Sequence, residues 1–311
     1  MTHYLVTGGA GFIGSHLVEA LLTHGEQVRV LDDFSTGKRE NLELAASVTE
    51  SRGSLDVIEG DVRDLDTVRQ ATAGVDLVVH LAAIVSVQQS MADPLATHAV
   101  NVTGTLNMLQ AGREASVRRV VLASSCAVYG DNDDLPLQES ATPRPLSPYA
   151  ASKLAAEMYC QAFSLAYGLP TACLRYFNVY GPRQSPNGDY AAVIPKFAAW
   201  MKAGRPPLIY GDGQQTRDFV YVGDVVRATL LACAADGFDG QVFNVASGQR
   251  ISLLEVVDTL NGLLGTSLPP EFEVERVGDV RHSAGDGGRL AALVGYRVET
   301  PLTEGLKRFL A

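Results

Sequence analysis

The 311-residue chain is long for one small domain and short for three, and its 46% apolar and 19% charged residues are the balance of a globular protein without long disordered segments. A formal net charge of −10, from 25 Lys and Arg against 35 Asp and Glu, argues against nucleic acid as a partner, because phosphate backbones need clustered cations. The four cysteines, Cys126, Cys160, Cys173 and Cys233, lack metal-ligand spacing, which points to reduced thiols with neither a metal site nor a disulfide framework.

The chain opens on Met1-Thr2-His3-Tyr4-Leu5-Val6, a strand-like run with no secretion signal in front of it, so a cytoplasmic protein is expected. Apolar stretches such as Val225 to Ala235 are broken by Arg227 and are too short to cross a bilayer, so no membrane partner is expected. Short β-branched runs at Tyr4 to Thr7, Val28 to Leu31, Asp56 to Glu59, Leu77 to Leu81, Arg119 to Ser124 and Thr171 to Tyr176 read as strands. Helical periodicity falls between them, over Phe12 to Thr23, Leu65 to Ala73, Ala96 to Ala115 and Tyr149 to Tyr167. This alternation predicts a parallel sheet covered on both faces, and the continuously apolar Leu77-Val78-Val79-His80-Leu81 fits a strand buried on two sides.

From about Phe177 the alternation breaks down around Pro182, Pro186, Pro195, Pro206 and Pro207, with one helix near Tyr190 to Ala203. Arg217 to Val222 and Gln241 to Val245 again read as strands. The expected architecture is α/β: a doubly wound parallel sheet of Rossmann type over residues 1–176, a return of the chain near 217–248, and a smaller C-terminal α/β substrate domain over 177–311.

The first strand runs into Gly8-Gly9-Ala10-Gly11-Phe12-Ile13-Gly14, which opens directly into a helix. Glycines there let the backbone turn tightly, admit a pyrophosphate to its N–H groups and pack the helix on the strand, and the helix N-terminus favours the anion. Asp32, eighteen residues after Gly14, stands at the end of the second strand, suited to accept hydrogen bonds from ribose hydroxyls. Its charge repels a 2′-phosphate, which favours NAD over NADP; Asp33 is an alternative ribose ligand, and Lys38 or Arg39 could rescue a phosphate. Phe34, Ser35, Thr36 and Gly37 follow along the same ligand, Asp61 and Val62 fall where an adenine would lie, and Leu81, Ala82 and Ala83 end the fourth strand beside the cofactor. Asp61 reads equally well as a helix N-cap. Asn101, Ser124 and Tyr176 complete the expected cofactor contacts.

A strand-end Ser124-Ser125 is followed by Ser147-Pro148-Tyr149-Ala150-Ala151-Ser152-Lys153, where Tyr149 and Lys153 share one helix face. A lysine ammonium and the positive nicotinamide ring are expected to lower the tyrosine pKa toward working pH, so that the phenolate takes a proton from a substrate hydroxyl. With the glycine turn, these residues resemble the extended short-chain dehydrogenase/reductase superfamily over essentially the whole chain. The resemblance implies Tyr149 as base, Lys153 as its electrostatic partner and ribose ligand, and Ser125 as proton shuttle.

Leu174-Arg175-Tyr176-Phe177-Asn178-Val179-Tyr180-Gly181 and Pro186-Asn187-Gly188-Asp189-Tyr190-Ala191-Ala192-Val193-Ile194-Pro195 look like bacterial UDP-hexose 4-epimerases, closest to those that accept UDP-N-acetylglucosamine. By that resemblance Asn178 and Arg217 hold the diphosphate, Ala192 and Val193 the uracil, and Tyr210 stacks beside it, while Arg276 and Asp279 close the nucleotide clamp. Ser283 takes the place of a gatekeeper that is small where an N-acetyl group fits, and Ser86 is a hydrogen-bonding partner for that group. The implied reaction is oxidation at sugar C4, turning of the 4-keto sugar and return of the hydride, with NAD regenerated in each cycle.

Rival readings remain at this level. A 4,6-dehydratase of the same superfamily needs an Asp-Glu pair after the strand-five hydroxyl, where this chain has Cys126 and Ala127, and a UDP-glucuronate decarboxylase usually carries a Glu there. A UDP-glucuronate 4-epimerase stays open as a substrate variant. A non-catalytic NAD sensor has no reason to keep Ser125, Tyr149 and Lys153 together. The resemblance also implies a homodimer joined through the helices at Ala96 to Ala115 and Tyr149 to Tyr167.

Overall fold

A computed structural model of the protein describes residues 1–47, 53–186, 192–238, 240–275 and 280–311. Strands β1 (His3–Thr7), β2 (Gln27–Asp32), β3 (Ser54–Glu59), β4 (Leu77–His80), β5 (Arg119–Ser125) and β6 (Thr171–Tyr176) alternate with helices. These are α1 (Phe12–Thr23), α2 (Arg39–Ser47), α3 (Leu65–Thr72), α4 (Val87–Ala92), α5 (Pro94–His98), α6 (Gly104–Glu114) and α7 (Pro148–Tyr167). The remainder holds β7 (Asn178–Tyr180), α8 (Val193–Lys202), β8 (Leu208–Tyr210), β9 (Thr216–Arg217), β10 (Phe219–Tyr221), α9 (Val222–Ala234), β11 (Gln241–Val245), β12 (Ile251–Ser252), α10 (Leu253–Leu264), β13 (Glu271–Glu273), α11 (Gly288–Val294) and α12 (Leu302–Leu310).

Seven strands form one parallel sheet in the order β3-β2-β1-β4-β5-β6-β11. Side chains alternate along each strand, so each face of the sheet grows its own core. On one face Tyr4, Val6 and Val30 pack with Leu17 and Leu21 of α1 and Val225 and Ala228 of α9. On the other, Leu5 and Val78 meet Val68 of α3, Met108 of α6 and Ala156 and Cys160 of α7. Helices on both faces make this the expected doubly wound fold.

The sheet order reverses direction between β1 and β4, which opens a crevice beyond their carboxyl ends. Beside it, Tyr180, Ile194, Phe197, Ile209, Phe219, Val256 and Leu306 build a third core. There β7 pairs with β10, β9 with β12 and β8 with β13.

Two expected elements differ. The run Arg217 to Val222 is not one strand: Asp218, wholly buried, separates β9 from β10, and Val222 already begins α9. The continuous helix expected over Ala96 to Ala115 is interrupted by a π-helical turn, Ala99–Thr103, between α5 and α6. Such turns are inserted where a side chain must be aimed, and Asn101 sits in this one. Among the described residues no helix is long and apolar enough to cross a membrane.

Candidate functional site

The glycine turn lies against the backbone that leaves β4. Gly8 has φ of 69°, and a Cβ there would stand 2.8 Å from the backbone N of Ala82. A Cβ on Gly14 would stand 2.1 Å from the carbonyl oxygen of Gly8, so the first turn of α1 can approach the strand end only without a side chain. Gly11 precedes Phe12 and Ile13 at the helix start, where no side-chain cap forms, so the first N–H groups remain for an anion. Cradle and bare helix end together fit the pyrophosphate of a dinucleotide.

Asp32 is buried, and each of its oxygens takes one backbone N–H: Ala10 donates to Oδ2 and Phe34 to Oδ1, both at 2.9 Å. Burial pushes its carboxyl above the ordinary range while these two bonds pull it down. A carboxylate oxygen has more than one acceptor site, so capacity is left for ribose hydroxyls. A Cβ on Gly37 would stand 2.8 Å from Oδ1, which makes Gly37 the close lid over this carboxylate. Asp33, the alternative ribose ligand, is exposed and accepts from the N–H and hydroxyl of Ser35; Thr36 is exposed beside them. Of the two cations considered for a 2′-phosphate, Arg39 is paired with Glu59 and lies over the Phe34 ring, while Lys38 is exposed.

Asp61 is not a helix N-cap: Asp64 caps α3, while Asp61 bonds the backbone and guanidinium of Arg63. Val62 is buried and supports the close approach of Gly104. The N–H groups of Leu81 and Ala82 both donate to the hydroxyl of Thr7 at 3.2 Å, holding the segment that continues to Ala83. Asn101 joins two sides of the crevice: Oδ1 accepts from Ile84 N at 2.8 Å, and Nδ2 donates to Ser152 Oγ at 2.9 Å.

The chemistry-bearing residues converge at the end of β5. Ser147 accepts from Ala150 N and Pro148 takes the first helical position, which starts α7 so that Tyr149 and Lys153 fall on its first two turns. The backbone N–H of Tyr149 donates to Ser90 Oγ of α4 at 3.0 Å. Lys153, 5% exposed, donates to the carbonyl of Ala123 at 2.9 Å. Burial lowers the Lys153 pKa to about 8, against the opposing charge of Glu157. Tyr149 behaves differently from the expectation: burial pushes its phenol up to about 12, and the hydrogen bond from Ser125 only partly offsets this. The lowering expected from Lys153 is not seen: the groups that act on the phenol are Ser125 and Cys126.

Two expected cofactor residues have their side chains committed elsewhere. Ser124 donates to Glu157, on the face of β5 opposite to Ser125, and Tyr176 shares a hydrogen bond with Thr229 of α9 at 2.8 Å. Each hydroxyl is thus engaged within the fold and keeps only acceptor capacity beyond that bond.

The substrate half is organised by Asp218, a residue that sequence reasoning passed over. Its carboxylate accepts from Ser247 N and Oγ, Gly248 N and Gly285 N, at 2.6 to 3.1 Å. Ser283 N also donates to Thr216 O at 3.1 Å, so the 281–285 segment is laid along β9. Cys126 is within interaction range of Tyr149, the Ser283 hydroxyl, Arg217 and Asp218, and burial raises its thiol to about 11. Ser125, Tyr149, Cys126, Ser283 and Arg217 therefore share one locality. Asn178 donates to Asp218 O through both its backbone and side chain, and Arg217 Nη1 donates to Thr216 O at 3.0 Å.

Val193, with Ala192 before it, starts α8, and Tyr210 ends β8; both elements are seated in the third core through Ile194 and Ile209. Ser86 caps α4, its hydroxyl accepting from Gln89 N at 3.0 Å. Arg276 and Asp279 lie outside the described residues.

Residues 4–246 match the model of the NAD dependent epimerase/dehydratase family. The UDP-glucose 4-epimerase of Mycolicibacterium smegmatis is 41% identical over 98% of this chain and 96% of its own length. The UDP-N-acetylglucosamine 4-epimerase of Methanobrevibacter ruminantium, solved with UDP-N-acetylmuramic acid, superposes with a TM-score of 0.93 at 38% identity, covering 99% of this chain and 97% of that one. The Thermus thermophilus UDP-glucose 4-epimerase, solved with NAD, gives 0.88 at 38% identity over 99% and 98%.

Proposed function

Since this chain belongs to the NAD-dependent epimerase/dehydratase family, we propose that it interconverts UDP-hexoses at C4, acting on UDP-glucose and UDP-galactose and on their 2-acetamido counterparts. The observation that carries the reading is the convergence of Ser125, Tyr149 and Lys153 at the end of β5, with Cys126 and Ala127 in the next two places. Elimination of water needs an added acid and base, and a thiol held near 11 beside an alanine supplies neither, which favours epimerisation over dehydration.

The chemistry that bound NAD would supply is a hydride acceptor, and then donor, at sugar C4. Tyr149 takes the 4-hydroxyl proton, through Ser125 or directly, and gives it back. Among the described residues the Lys153 ammonium donates to Ala123 O, and an ammonium has three donors, so it can also reach a ribose hydroxyl and present positive charge to the phenolate. Asp32 orients the adenosine ribose, and Arg217 and Asn178 hold the diphosphate, leaving the hexose as the mobile part. Arg276 and Asp279 belong to the same clamp.

Ser283 is small and sits against Cys126, which leaves space for an acetamido group that Ser86 can hydrogen-bond. A second copy of the chain is the expected partner: Ala151, Tyr159, Ala162 and Ala166 form an exposed apolar stripe on α7, and Met91 and Leu95 are exposed on the adjacent α4 and α5.

The test is incubation of purified protein, without added NAD, with UDP-glucose, UDP-N-acetylglucosamine and UDP-glucuronate. The reading predicts C4 epimers of the first two. Turnover of UDP-glucuronate alone, or a 4-keto-6-deoxy product, replaces it.

A further inference from the structure

Behind the catalytic end of β5 lies a charged pair that the proposed chemistry does not use. Glu157 and Arg175 are 1% and 3% exposed. Arg175 Nε and Nη2 donate to the two oxygens of Glu157 at 2.9 and 2.7 Å, and the Ser124 hydroxyl donates to the same carboxylate. The guanidinium lies 4.5 Å from the Tyr129 ring centre, and Tyr129 donates to Asn244 Oδ1 at 2.7 Å. One carboxylate thus ties α7 to β5 and β6, and through Tyr129 to β11. Replacing such a pair by apolar residues is often neutral or stabilising, so stability is a weak reason for its presence.

Position supplies a stronger one. Glu157 follows Lys153 by one helical turn and Tyr149 by two, on one face of α7. We infer that Glu157, held by Arg175, is a positioning residue for the reaction: it keeps the Lys153 ammonium charged and fixes the strand end that carries Ser125. The inference rests on the function proposed above.

On the other elements packed around Lys153 the carboxylates are Asp93, exposed at the N-cap of α5, and Glu114, at the far end of α6. His80 on β4 is held down to about 3 by burial and is neutral, and the thiols of Cys126 and Cys173 are pushed up. His98 is exposed on α5, Arg175 stands beyond the carboxylate on β6, and Arg113 and Glu114 end α6 at its far turn. With Lys153 lowered to about 8 by burial, loss of Glu157 should let it lose its proton earlier.

The test compares the NAD-loaded wild type with E157Q, E157D and the apolar pair E157M/R175M. Two quantities are followed against pH: NAD retained through gel filtration, and kcat. The alkaline midpoint of both should fall by about half a unit or more in E157Q and in the apolar pair, and return in E157D. Unmoved midpoints in a folded apolar pair would overturn the inference, as would failure of both E157Q and the apolar pair to fold, which would leave only a structural role. If the wild type turns over no UDP-hexose, the functional reading fails while NAD retention still reports on Glu157.

Discussion

Tyr149 carries a phenol that the protein alone holds near 12, so proton abstraction near neutral pH depends on the positive ring of the bound cofactor. Tyr149→Phe is expected to lower kcat by about 10²- to 10⁴-fold while retaining NAD, measured as cofactor released on denaturation. Equal loss of NAD and activity would instead make the tyrosine a binding residue. Lys153 gives a prediction of opposite sign for stability. Its folded-state pKa is depressed from 10.5 to about 8, so its contribution to stability is present above 10.5 and lost as pH falls through 8. At pH near 7 the buried charge costs about 3 kcal/mol, less roughly 1 for its bond to Ala123. Lys153→Met should therefore raise the unfolding midpoint of the NAD-free protein near neutrality, with the gain shrinking between pH 8 and 10.5, while activity is lost. A lower midpoint would show the lysine to be a structural anchor. At this scale the sequence was informative where spacing encodes geometry, as in Tyr149 and Lys153. It was silent on Asp218, whose partners Ser247, Gly248 and Gly285 are distant in the chain and follow no periodic pattern.

Among elements, the glycine turn makes the sharpest demand on backbone. Gly14→Ala would drive a methyl to 2.1 Å from Gly8 O and open the turn against α1. Gly74→Ala, at φ of 71° with nothing within 4 Å, carries only conformational strain of about 1 kcal/mol. Isothermal titration should find NAD affinity reduced at least ten-fold in Gly14→Ala and unchanged in Gly74→Ala; equal affinities would mean that the turn does not cradle the dinucleotide. The strands and helices of the first half were legible because each is long enough to show its period. The π-helical turn was not, since Ala96 to Ala115 keeps helical composition throughout and only the bonds of Asn101 to Ile84 and Ser152 mark the interruption. The division of β9 from β10 was hidden for the same kind of reason, a single buried aspartate within an otherwise strand-like run.

For the whole molecule, the crevice opens beyond β1 and β4, and the third core packs against Phe12 and Ile13 at the start of α1, next to the glycine turn. The sheet was predictable from alternation, whereas the short pairings β7 with β10, β9 with β12 and β8 with β13 involve two or three residues each and leave no readable period. Leu95, 81% exposed on α5 beside α7, belongs to the surface assigned to a second copy. Leu95→Glu with Tyr159→Glu should convert a dimer to a monomer in sedimentation equilibrium; an unchanged mass would move the interface elsewhere, and a monomeric wild type would remove it.

The central claim is that hydrogen leaves C4 of the sugar and returns to the same carbon from the other side, without exchange with water. Incubating the protein, with no added NAD, with UDP-glucose deuterated at C4 should give UDP-galactose that keeps the deuterium at C4. Loss of the label to solvent, or its appearance at C6 of a dehydrated sugar, would contradict the account.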